Sequence, residues 1–471
     1  MLRPIAANEF RLLRRRRGYG LLLALFAALV VAAGALNAVR QHRDRAQQLA
    51  YQQLVRAQWE SQPDRHPHRV AHYGTFAFKT PGALAAFDPG VESYAGRVQY
   101  LEAHRQNAAN FAEAGALSSV FRFGELSLAF VLQLVLPLVV IVLGHRALAE
   151  ERDTGRLRLL LGQGARARSL VFGKLLGLAA AIVPFAVLAA LGTVAVVALD
   201  PAGSAAATLP RLAAIGAATL LQLLAWLGLT VWVSGRVAQP ARALAVLVAL
   251  WLGGNLVLPR VAGIVAAARH PLPDKSSFTA SVERDARALG DSHNPQDPLF
   301  AVLKAETLAR YGVARVEDLP VNWGAIVMAR GEALGARTFA RHFDALGQRM
   351  LAQARVVEAA AWFAPSLAFR QLSTAAAGTD LRAQLVFQRE AEAFRYEFVQ
   401  QLNGLHRDLV PFQGDRDTRL STEHWRKFAD FRPSSPTLAE SFAGTAPLWL
   451  ALLFWALLPL ALLARLRLPP A

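Results

Sequence analysis

Six runs of almost unbroken apolar residues punctuate the chain, at Gly18–Val39, Leu126–Gly144, Leu175–Leu199, Leu212–Val233, Ala243–Ala268 and Ala446–Ala464. A bilayer core needs about 20 helical residues at roughly 1.5 Å each, so every run predicts a membrane-crossing helix. Elsewhere the spacing changes. Phe339, Phe343, Leu346, Met350 and Val357 recur at helical intervals, as do Phe394, Phe398, Leu402, Leu405 and Leu409. The periodicity predicts two long amphipathic helices that bury their stripes against each other as an antiparallel hairpin. Pro365 and Gly378-Thr379-Asp380 mark the bend, with Thr379 or Asp380 as cap of the second helix. Shorter helices are expected at Phe278–Leu289 and Leu299–Tyr311. Residues 40–125 begin helically in "RDRAQQLAYQQLVRAQWESQ" and are then broken by prolines and glycines, with a short strand near His72–Phe78.

The formal net charge of +17 would suit a nucleic-acid binder, but its placement argues against one. Residues 1–17, 145–174, 234–242 and 465–471 together hold 17 basic residues against four acids, Glu9, Glu150, Glu151 and Asp153. The long segments are nearly balanced, with 10 basic and 8 acidic residues in 40–125, and 22 and 21 in 269–445. Basic residues gather on the cytoplasmic side of a membrane protein, so this asymmetry orients all six spans. The expected fold is an all-α polytopic membrane protein with six transmembrane helices. Both termini are cytoplasmic, and a helical extracytoplasmic domain lies between spans five and six. The stretch "ANEFRLLRRRRG" suits either a helix on the inner membrane surface or a plain basic flank. The first apolar run is longer than a signal peptide's core and reads as an uncleaved span.

Candidate chemistry is sparse. Polar residues within the spans are mild, including Gln133, Thr193, Thr219, Gln222, Thr230 and Asn255, none is acidic, and Arg260 lies far enough along the fifth run to snorkel to the outer interface. An ion-driven transporter needs ionisable groups at that depth, so energy for any transport has to come from outside the bilayer. No phosphate-binding G-x-x-x-x-G-K-[ST], zinc-protease H-E-x-x-H or hydrolase G-x-S-x-G occurs. Absence of cysteine removes disulfides and thiolate sites. His66, His68 and His72 are spaced to share a metal on an extended loop or to pack against a neighbour. With no nearby carboxylate beyond Asp64, packing is favoured.

The longest cytoplasmic loop is the exception to this plainness. Glu150, Glu151 and Asp153 are followed by Gly155, then by Arg156, Leu157, Arg158, Leu159, Leu160 and Leu161, and finally by Arg166 and Arg168. A short amphipathic helix between glycine breaks, flanked by charge, is built to dock on a soluble partner. Glu-Glu-x-x-x-Gly followed by Leu-x-Leu-Leu-Leu resembles the coupling region of type-2 ABC exporter permeases, as does the six-span plan. The segments "HPHRVAHYGTFAFKTPGALAAFDPGV" and "DLPVNWGAIVMARGE" resemble those of a bacterial subgroup with two large extracytoplasmic insertions. Where members of that family carry threonine and Ser-x-Pro, this chain has Arg156 and Gly162-Gln163-Gly164.

The resemblance implies a multi-pass protein of the bacterial inner membrane that binds no cofactor itself. ATP would act through a separate cytoplasmic ABC ATPase docked on the 150–168 loop. The pathway would form between two such chains or with a second permease, and an extracytoplasmic protein could engage the outer domain. The competing reading is a membrane-anchored scaffold or signalling protein whose helical domain binds partners.

Overall fold

The computed structural model describes residues 1–108, 126–199 and 205–468. The end of the 40–125 segment and part of the 465–471 tail therefore lie outside the described residues. The chain is mostly helical. Six helices are long and apolar enough to cross a membrane: Arg17–Glu60, Leu128–Asp153, Ala167–Ala198, Ala206–Arg236, Pro240–Arg269 and Ala446–Ala464. They coincide with the six apolar runs and are called spans one to six below.

Span one does not stop where its apolar run does. The apolar stretch and the polar helix after it form one rod of 44 residues, roughly 66 Å long. Before it, the helix Leu2–Arg15 lies against span three, where two glycines one turn apart open a groove. A Cβ at Gly173 would meet Ile5 Cγ2 at 2.6 Å, and one at Gly177 would meet Glu9 Cβ at 2.5 Å. Small residues at i and i+4 are what close helix approach requires. At the same end of the bundle Leu466 packs on Gly235, so both terminal segments adjoin the 145–174 loop.

The prolines in spans two and five follow π-helical turns, at Val131–Val135 before Pro137 and at Gly253–Val257 before Pro259. Proline has no N–H to give the preceding turn, which frees carbonyls that have to be satisfied inside the bundle. Gln222 of span four donates to Leu132 O and Gln133 O, both at 3.1 Å, and Trp251 donates to Leu134 O at 3.1 Å. Thr193, Thr219 and Asn255 instead donate to carbonyls one turn back in their own helices. The polar residues of the spans thus serve mainly to satisfy the spans themselves.

Beyond the other end of the bundle stand the helices Trp323–Ala360 and Leu381–Leu409, the second capped by Asp380 accepting from Ala383 N at 3.0 Å. They pack together, but their apolar stripes do not meet. Phe339, Phe343, Leu346 and Met350 face a cleft shared with Phe278 of the helix Lys275–Arg287. Phe398 and Leu402 instead enclose Trp59, Val70 and Trp425. The facing sides meet through smaller and charged residues, including Gly347 against Leu385 and Arg389 with Asp344 at 3.2 Å.

Between these two helices the chain dips back. Pro365–Ala377 forms a short, almost wholly buried helix against spans four and six. Arg211, at the start of span four, is buried and donates to Ala376 O at 2.9 Å and Ser441 Oγ at 3.0 Å. The all-α expectation is corrected by a small antiparallel sheet of β1 (Thr75–Phe78), β2 (Val98–Glu102) and β3 (Arg105–Gln106), in that order. Only β1 was foreshadowed, because strands of two to five residues carry little periodic signal.

Candidate functional site

The 145–174 loop folds as two short helices, Ala149–Asp153 and Arg156–Gly162, hinged at Gly155 with a left-handed φ of 72°. Only glycine adopts that conformation without strain. Lys174 Nζ, buried in span three, donates to Glu9 Oε2 and to Glu151 Oε1, each at 2.6 Å. Arg156 Nε reaches Glu151 Oε2 at 3.0 Å, and Arg16 pairs with Glu150 at 3.1 Å. Arg152 donates to Gly235 O at 2.7 Å, while Ser234 Oγ accepts from Leu148 and Ala149. The two glutamates therefore act within the molecule. They tie the loop to the amino-terminal segment and span three, while Arg152 and Ser234 tie it to the connection between spans four and five.

Leu157 is fully buried, and Leu160 and Leu161 pack beside it on the bundle core. Asp153, Arg156, Arg158, Leu159, Arg166 and Arg168 are exposed. Leu159 is 66% exposed, an apolar residue next in sequence to the exposed Arg158 on a helix anchored by the buried Leu157. Glu9, Arg16 and Ser234, which hold this geometry, carried no sequence signal because their partners are far along the chain.

At the far end of the long rod, the three histidines singled out in the sequence part company. His66 caps the helix Pro67–Tyr73 by accepting from His68 N at 3.2 Å. It joins His406 and Asp415 instead, with His406 Nε2 2.6 Å and His66 Nε2 3.5 Å from Asp415 Oδ1. His68 and His72, one turn apart on that helix, bring their Nε2 atoms to 3.2 Å. Two histidines that sequence reasoning missed complete this second group. His104 comes from the β2–β3 turn and His293 from the loop after Lys275–Arg287. One ligand atom from each of the four lies within 4.8 Å of the others.

The carboxylates absent from the local sequence come from elsewhere. Glu332 Oε2 lies 3.1 Å from His104 Nδ1 and accepts from His104 N at 2.9 Å. Its other oxygen accepts from the fully buried Arg395 at 2.6 Å, and Arg395 also forks onto Glu392. Burial would raise the Glu332 carboxyl, but the His104 hydrogen bond and the Arg395 charge outweigh it and hold it at about 2. Asp291 Oδ1 lies 3.4 Å from His293 Nδ1. Burial, then the neighbouring imidazoles, push His68 down to about 2 and lower His72 as well. His104 itself has φ 61°, alone among the described non-glycine residues in being left-handed.

Residues 276–434 match a family model described as a domain of unknown function (DUF3526). No curated protein matches the chain. The matched region supplies His293, Glu332 and Arg395, and leaves the spans and the 145–174 loop outside it.

Proposed function

We propose that the chain is the membrane subunit of an ATP-driven exporter of the type-2 ABC kind, receiving work from a separate cytoplasmic ATPase. The observation that carries this reading is the helix Arg156–Gly162. It exposes Leu159 beside Arg158 while Lys174, Glu9 and Glu151 bind its base to span three. A docked partner pushing on such a helix moves span three and the amino-terminal helix with it, since buried ion pairs resist separation. The positive-inside pattern puts this end in the cytoplasm and the histidine end outside. Spans five and one, with 17% and 28% of their apolar windows buried, leave faces for lipid and for a second copy or second permease. The protein then belongs in a bacterial inner membrane.

The reading is tested at exposed positions, because reversing Glu150 or Glu151 would break internal pairs as well as any docking. A Leu159→Asp, Arg158→Glu variant should purify with normal yield yet lose the co-purifying ATPase or its stimulation. Retention of both would leave the spans as anchors and favour the scaffold reading.

A further inference from the structure

We propose that His68, His72, His104 and His293 form a binding site for one divalent transition-metal ion of the zinc and copper(II) class. This site is independent of the permease reading. Four imidazoles converge from three separate stretches of chain, and their ligand atoms already lie within 4.8 Å of one another. A tetrahedral ion with metal–nitrogen bonds of about 2.0–2.1 Å sets its ligands roughly 3.3 Å apart. His68 and His72 stand at 3.2 Å, and the more exposed His72 and His293 have room to close the remainder.

The atoms around the ligands support this assignment. His104 Nε2 is buried without a hydrogen-bond partner, while its Nδ1 is held by Glu332. On the exposed side of the group, Asp291 Oδ1 lies 3.4 Å from His293 Nδ1. A carboxylate on the outer nitrogen fixes the ring and makes the inner nitrogen a better ligand, as in most histidine metal sites. These two carboxylates also offset the charge that a divalent ion brings to the site. Arg395 in turn fixes Glu332 from behind, and Glu392 is paired with that guanidinium.

The donor set selects the ion. All-nitrogen ligation does not suit magnesium or calcium, which require oxygen, and the chain has no cysteine for thiolate-bound ions. Imidazole favours zinc and copper(II), with copper bound more tightly. The other histidine group, His66, His406 and Asp415, is accounted for by packing, because Asn322 and His406 both bond Asp415 Oδ1 and clasp two helices. In the four-histidine group, His68, His72 and His104 come from one long polar segment and His293 from the other. A bound ion thus clips the two together.

The test uses full-length protein in detergent, without a polyhistidine tag, stripped with chelator and then equilibrated with zinc chloride or copper sulfate. Elemental analysis should give close to one ion per chain, with copper displacing zinc, and X-ray absorption should show an imidazole-only shell. His293→Ala, on an exposed loop that tolerates change, should weaken binding at least tenfold, and with His104→Ala the ion should be lost. Glu332→Gln should weaken it by about 10- to 100-fold. Added zinc should raise the unfolding temperature of the wild type and not of the double variant. His424→Ala, outside the group, should behave as wild type. No ion on the wild type, unchanged binding after His293→Ala, or an oxygen-dominated shell would overturn the proposal.

Discussion

The two ends of the molecule treat charge and polarity in opposite ways. At the loop end, Glu9, Glu150, Glu151, Arg16, Arg156 and Lys174 answer one another, so the buried ammonium of Lys174 and its two carboxylates are paired by the protein itself. At the histidine end, four imidazoles face inward with few acceptors among them, and buried nitrogens of His68 and His104 have no partner. A buried polar atom without a partner loses solvation it does not regain, so such an arrangement persists where something else supplies the bond. On the proposed readings the contrast separates a transmission element, which has to be rigid and complete, from a receptor, which has to be left incomplete.

Substitutions can break this contrast, beginning with the largest effect. Lys174→Met leaves two buried carboxylates facing each other and should lower stability by about 3–5 kcal/mol. That is checked by thermal unfolding in detergent. Replacing Glu9, Glu151 and Lys174 together with apolar residues should recover most of that loss, since a buried ionic group is readily replaced by well-packed apolar side chains. Gly177→Leu forces the amino-terminal helix off span three and should cost about 1–3 kcal/mol by the same assay. Gln222→Leu strands the carbonyls of the span-two π turn, for about 1–3 kcal/mol. His293→Ala in metal-free protein should shift stability by less than about 0.5 kcal/mol, because that exposed ring makes only solvent-screened contacts with Asp291 and the neighbouring imidazoles. A loss there as large as at Lys174 would mean that the histidine end is also closed on itself.

The spans were legible because membrane crossing is a local property, written in 20 consecutive residues. The helix Arg156–Gly162 was legible for the same reason, with Gly155, the leucines and the arginines contiguous. Its glutamates were readable as charges but not as partners of Lys174 and Arg16, since pairing depends on how the helices pack. His68 and His72 stood out by their spacing. His104, His293 and Glu332 did not, because an isolated histidine or glutamate in a polar stretch looks like any solvated residue. The stripes of the long helices were correctly periodic and wrongly partnered. Amphipathicity says that a face is buried, while the neighbour is chosen by the whole domain, here Phe278 for one helix and Trp59 with Trp425 for the other.

On the proposed topology the loop end faces the cytoplasm and the histidine end does not. The chain has no native cysteine, so single replacements report cleanly. Arg158→Cys and Lys304→Cys, both at exposed positions, can be treated in intact spheroplasts with a membrane-impermeant maleimide. The expected result is immediate labelling at position 304 and labelling at position 158 only after lysis. Labelling of position 158 in intact cells with position 304 protected would contradict the orientation, and with it the ATPase-coupled reading of the loop.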